Sequence, residues 1–105
     1  MSFVRILEEA AQETDEAAAW YDNEQPGLGD EFFDAVDAAL DLIEECSLPL
    51  LPVPGKAGAL GAKRIILKRF PYDVVAVERS REIIVIAIAH HARKPGYWRG
   101  RMERS

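Results

Sequence analysis

The spacing of apolar residues changes character along the chain, and each change marks an element. Phe3-Val4-Arg5-Ile6-Leu7 is a short, mostly apolar run with β-branched members and predicts a first strand. From about Glu8 the composition turns to Ala and Glu. Ala10, Thr14, Ala17 and Tyr21 then recur at the spacing of one helix face. Glu8, Glu9 and Glu13 near its start suit the positive end of the helix dipole. Asn23 to Gly29, with Pro26, Gly27 and Gly29, closes that helix, and Asp30 is the expected N-cap of a second. Its expected core face is Phe33, Val36, Leu40 and Ile43, with Asp34, Asp37, Asp41 and Glu44 on the opposite side. The pair predicts a helical hairpin with an acidic outer surface.

Beyond the hairpin the period shortens. Ser47 to Gly61 holds three prolines and three glycines and reads as loop. The apolar residues Leu48, Leu50, Leu51 and Val53 are too many for an idle loop, so part of it either folds over the core or meets a partner. Three strands follow: Lys63 to Arg69, Tyr72 to Arg79 and Glu82 to His90. Ser80-Arg81 fits a tight hairpin turn between the last two. Ile83 to Ala89 is apolar in both alternating phases, which predicts a central strand covered on both faces. The expected fold is α+β in the order β-α-α-β-β-β, a helical hairpin packed on a small antiparallel sheet. One domain is expected over residues 1–105. Residues 92–105, apolar only at Tyr97, Trp98 and Met102 apart from Ala92, form a basic C-terminal arm expected to pack loosely.

Charge adds a second division. The net charge is −5, yet residues 1–54 carry 14 acidic side chains against Arg5 alone, and residues 55–105 carry 12 basic against 4 acidic. Such asymmetry suits either a face built for a polyanion or acidic partner, or two halves that neutralise each other across the fold. The one cysteine, Cys46, cannot form an internal disulfide and reads as a small buried apolar residue. The chain has no apolar run long enough to span a bilayer, and Met1 to Arg5 lacks a signal-peptide core, so a cytoplasmic protein with no membrane partner is expected.

Four segments, none specific alone, are together characteristic. They are Ala19-Trp20-Tyr21, Pro26-Gly27-Leu28-Gly29 with Phe32, Leu67-Lys68-Arg69-Phe70-Pro71-Tyr72, and Ala89-His90 through Arg93 to Pro95-Gly96-Tyr97-Trp98. In this order and with this topology the chain resembles the RelE/ParE superfamily of type II toxin–antitoxin toxins, also called the plasmid stabilisation family. The resemblance covers roughly residues 3 to 99. It implies a growth-inhibiting toxin that forms a hetero-oligomer with a cognate antitoxin wrapped over its working surface. The family holds both ribosome-dependent mRNA endonucleases and non-catalytic inhibitors of DNA gyrase, so the target is either the ribosome with its mRNA or gyrase. A third possibility is a degenerate member that kept the fold as an interaction module.

The residues themselves supply candidates for metal-independent RNA cleavage. That reaction needs a base for the ribose 2′-OH, cations for the charge building on phosphate, and an acid for the leaving oxygen. Arg64, Lys68 and Arg69 are candidate phosphate or target contacts, or simply the charged ends of strands. His91, Arg93 and Tyr97 are the candidate catalytic set; the resemblance implies an arginine on the last strand and a C-terminal tyrosine in the site. His90, in the phase of Ile84, Ile86 and Ile88, is expected to cap the core through a satisfied hydrogen bond, and Trp20-Tyr21 to lie on the helix core face. No metal site is expected, because neighbouring strand residues such as His90 and His91 face opposite ways, and no cofactor is implied. The pI near 5.0 and the sparse lysines, Lys63 and Lys68 alone in the strands, weigh against the endonuclease branch, whose members are usually basic.

Overall fold

The computed structural model describes residues 3–45, 50–94 and 96–104. The expectations for Cys46 and Leu48 lie outside these, as does Pro95 of the last resembling segment. Strand β1 (Phe3–Ile6) leads into helix α1 (Glu8–Glu24), and helix α2 (Leu28–Glu44) returns beside it. A two-residue strand β2 (Leu51–Pro52) and a short helix α3 (Lys56–Ala59) follow. Strands β3 (Lys63–Ile66), β4 (Tyr72–Arg79) and β5 (Glu82–His90) come next, and a 3-10 helix (Arg99–Arg104) ends the chain. The sheet order is β1-β5-β4-β3-β2. This is the expected α+β architecture with two additions. The sheet is mixed, because the α1–α2 crossover delivers β1 parallel to β5 while the other pairs are antiparallel. The proline-rich loop also contributes β2 as an edge strand, where Pro52 is tolerated.

Both faces of the sheet are covered. On one, α1 and α2 pack Ala10, Ala17, Tyr21, Phe32, Val36 and Ile43 against Val74, Ala76, Ile83, Val85 and Ile88. On the other, Val75, Val77, Ile84, Ile86 and Ala89 meet Ala62, Trp98 and Met102. Strand β5, apolar in both phases, is therefore an interior strand covered on both faces, as its composition requires. The C-terminal segment is docked through Trp98 and Met102 rather than loosely packed; its few apolar residues are enough to close the second face.

Several local expectations are corrected. Phe32 is fully buried while Phe33 is 37% exposed, so the core face of α2 runs Gly29, Phe32, Val36, Ala39, Ile43. That helix begins at Leu28 with Gly27 (φ 90) as N-cap, and Asp30 sits in its first turn. The capping function passes to Asp22 of α1, whose carboxylate accepts the Gly29 N–H at 2.7 Å. A Cβ at position 29 would lie 2.5 Å from the Ala18 carbonyl oxygen, so the hairpin closes only over glycine. Trp20 is 58% exposed, and Tyr21 alone enters the core. Strand β3 ends at Ile66, and Leu67 to Pro71 forms the turn into β4. In the β4–β5 ladder Val75 faces Ala87 but Ala76 faces Val85, so Ile86 is an extra residue. This bulge reverses the side-chain phase beyond it. Ile88 and His90 consequently lie on the helical face, and Ala89 and His91 on the opposite one.

Candidate functional site

The far end of β5 and the segment after it bring together most of the candidate residues. His91 Nε2 lies 2.7 Å from Asp73 Oδ1, and Arg64 Nη1 donates to Asp73 Oδ2 at 3.2 Å. Asp73 is the buried member of this trio, carried on β4 between Arg64 of β3 and the end of β5. A carboxylate can only accept, so the ring nitrogen facing it carries the hydrogen; in a neutral His91 that leaves Nδ1 as the free acceptor. The His91 side chain is partly exposed, and its backbone N–H donates to the Pro71 carbonyl at 2.8 Å, fixing it against the β3–β4 turn. Arg64 Nε, in contrast, is buried with no acceptor among the described residues.

A second cluster is organised by Glu13 of α1. Its Oε1 accepts the Ile88 N–H at 3.1 Å and Arg101 Nη1 at 2.8 Å. Its Oε2 accepts the Tyr97 hydroxyl through a short hydrogen bond and faces Arg93 Nη1 at 3.4 Å. The Arg93 guanidinium also lies over the Tyr97 ring, 3.7 Å from its centroid. The cause is topological. Strand β1 stops at Ile6, so the Ile88 N–H beyond its end has no strand neighbour, and a carboxylate from α1 takes the place of one. Burial, and then the hydrogen bond to Glu13, push the Tyr97 phenol well above its ordinary range. Burial alone would depress Arg101, but the contacts with Glu13 outweigh it and leave its charge favoured.

The two clusters share a cleft of about 270 Å³ on the face opposite the helices, lined by Arg64, Asp73, His91, Arg93, Lys94 and Tyr97 among others. Arg64, His91, Arg93 and Tyr97 are thus brought together. Lys68 and Arg69 do not line it: Lys68 is exposed on the β3–β4 turn, and Arg69 pairs with Glu31 of α2 at 3.1 Å. His90 turns to the helical side, where its ring packs edge-on to Tyr72 and its Nδ1 accepts the Ala92 N–H at 2.9 Å. Asp73, Glu13 and Arg101 are the members that sequence reasoning missed. Asp73 carries one readable sign, as the one aspartate among the four acids of an otherwise basic half. Glu13 carries none, being one of many acids on its helix. Among the described residues no group of three or more histidine, cysteine or carboxylate side chains could hold a metal ion. Among them, too, no helix is long and apolar enough to cross a membrane.

No protein-family model matches this chain, and no curated protein does. Among solved structures it is similar to a chain of the chromosomal ParDE TA system from P. aeruginosa. The TM-score is 0.73 at 15% identity, over 86% of this chain and 96% of that one. At that identity the likeness is one of fold, and the fold is RelE/ParE-like.

Proposed function

We propose that this chain is the toxin of a type II toxin–antitoxin pair and that it arrests growth by engaging its target through the cleft-bearing face. The observation that carries this reading is the fold likeness to a ParDE chain over nearly the whole length of both. A cognate antitoxin is the partner that follows from it, and the cytoplasm the compartment.

Two modes of action are open to such a face. In the first, His91 Nδ1 takes the ribose 2′ proton and the 2′-oxygen attacks phosphorus. A 2′,3′-cyclic phosphate forms as the bond to the 5′-oxygen breaks, and Arg64 and Arg93 hold the developing charge. Lys68 and Arg69 on the neighbouring turn would contact the target outside the cleft. The Arg64–Asp73–His91 chain favours this mode. The leaving 5′-oxygen needs a proton as well, and of His91, Arg93 and Tyr97 the candidate acid is Tyr97. Its phenol is held protonated and its hydrogen points at Glu13, while Arg93 is offset by the same carboxylate. Those contacts favour the second mode, non-catalytic inhibition of DNA gyrase. The test is pulse-labelling after induction, together with ribosome-bound mRNA mapped for cleavage and a gyrase supercoiling assay. Intact mRNA with blocked supercoiling establishes the gyrase mode. Cleavage in the ribosomal A site with supercoiling unaffected establishes the endonuclease mode.

A further inference from the structure

The opposite end of the same sheet face carries a second basic surface. Phe3 faces Glu82, and Glu82 faces Arg79, so the three form one row across β1, β5 and β4. The next row toward the sheet centre is Arg5, Ile84 and Val77. Ile84 and Val77 belong to the core on the side away from the helices, which places both rows there. With Ser80 and Arg81 of the hairpin turn, Phe3, Arg5, Arg79, Glu82 and Ile84 line an open concavity of about 550 Å³. The eight steps of β5 from Glu82 to His90 put it roughly 26 Å from the candidate site.

Its chemistry is specific in two respects. Three guanidinium groups converge there, and of these only Arg5 is neutralised, by Glu82 at 2.8 Å. Among the described residues no carboxylate lies within 4.0 Å of Arg79 or Arg81; Arg79 donates only to the Glu78 carbonyl at 3.1 Å. The cleft's arginines, Arg64 and Arg93, each have a carboxylate partner, whereas Arg79 and Arg81 at the hairpin have none among the described residues. Beside it stands Phe3, 80% exposed and in contact with no other aromatic ring among the described residues. An exposed ring at the rim of an arginine cluster matches two features of a single-stranded nucleic acid, the phosphate and the flat face of a base. An acidic peptide would use the guanidinium groups and leave the ring without a function.

We infer that the concavity formed by Phe3, Arg5, Arg79 and Arg81 binds single-stranded nucleic acid, with the arginines on successive phosphates and a base stacked on Phe3. This site is separate from the cleft and does not depend on which toxin mode operates. Its use is to anchor the protein on a target that carries nucleic acid while the cleft engages elsewhere.

The test is fluorescence anisotropy of the full chain with labelled single-stranded RNA and DNA of about twelve nucleotides, over a salt series. Inorganic polyphosphate and an acidic peptide serve as competitors. The double variant Arg79→Glu with Arg81→Glu is expected to weaken oligonucleotide binding at least tenfold. It should also reduce the slope of log affinity against log salt by about 1.4, for two lost phosphate contacts. Phe3→Ala is expected to weaken oligonucleotide binding about fivefold or more and leave polyphosphate binding unchanged. A double reversal at Lys56 and Arg99, with the same change in net charge, is the control and should have a markedly smaller effect. The inference is overturned if the wild-type chain does not bind the oligonucleotides. It is also overturned if the two reversals act alike, if Phe3→Ala changes nothing, or if the acidic peptide is bound through these residues and the oligonucleotides are not. Circular dichroism of each variant confirms that a loss of binding is not a loss of fold.

Discussion

Glu13 of α1 and Arg101 of the terminal 3-10 helix, 88 positions apart, are joined by a 2.8 Å ion pair that closes the fold. The same guanidinium nitrogen donates to the Ile86 carbonyl at 3.0 Å, so the pair ties helix, central strand and C-terminal segment at one point. Both side chains are largely buried, and the other acceptor sites of the carboxylate serve Ile88, Tyr97 and Arg93.

Removing Glu13 should therefore be costly. Glu13→Ala leaves the Arg101 charge largely buried without its partner and the Ile88 N–H without an acceptor. A loss of about 3 kcal/mol or more is expected in urea unfolding. A loss below about 1 kcal/mol would show that the carboxylate is incidental. Glu13→Gln, which keeps an acceptor but not the charge, should fall between Glu13→Ala and the wild type.

Tyr97 gives a prediction with a sign. Its folded-state phenol is raised above the unfolded value of about 10, so the stability it contributes is fully present below that pH and is lost as pH rises toward the folded value. Tyr21 and Tyr72 are raised in the same direction, chiefly by burial, and contribute to the same window. The thermal stability of the wild type should fall steeply above about pH 10. Tyr97→Phe should show a shallower decline over that range and a lower Tm at neutral pH. Parallel profiles for the two proteins would mean that the Glu13 hydrogen bond does not hold the proton.

Phe32 and Phe33 test the packing of the second helix. Phe32 lies against Tyr21, Phe70 and Tyr72, with ring centroids 5.0–5.4 Å away, and its replacement by Ala should cost about 3–5 kcal/mol. Phe33→Ala should change stability by less than about 1 kcal/mol. Equal losses would contradict the register of α2 on the sheet.

Arg93 separates folding from action. It is more than half exposed, its contact with Glu13 is long at 3.4 Å, and its stacking on Tyr97 is a surface cation–π contact. Arg93→Ala should cost no more than about 1 kcal/mol of stability. If the endonuclease mode operates, the same change should slow cleavage about 10²–10³-fold. A stable variant with full activity would remove Arg93 from the machinery.

Much of this fold was legible in the residue pattern. Tyr72–Arg79 and Glu82–His90 emerge with their expected bounds, because a β-branched run in both phases leaves little freedom to a central strand. The helical hairpin is equally clear from Ala10, Ala17 and Tyr21. The errors have local causes. Two adjacent phenylalanines shift an apolar face by 100° without altering its composition, so Phe33 took the place of Phe32. The bulge at Ile86 is invisible to strict alternation, and it moves Ile88 and His90 to the helical side. In the site, residue type pointed to Arg64, His91, Arg93 and Tyr97, which do share the cleft. Asp73 and Glu13 were missed because their roles arise only when strands and helices far apart in sequence meet.

The most direct measurement of the central reading is viable count after tightly controlled induction of the full chain in a bacterial host related to its own, with soluble protein verified by immunoblot. Colony formation is expected to fall by orders of magnitude within a few generation times, and co-expression of the cognate antitoxin to restore it. Undiminished colony formation at confirmed soluble expression would contradict the toxin assignment.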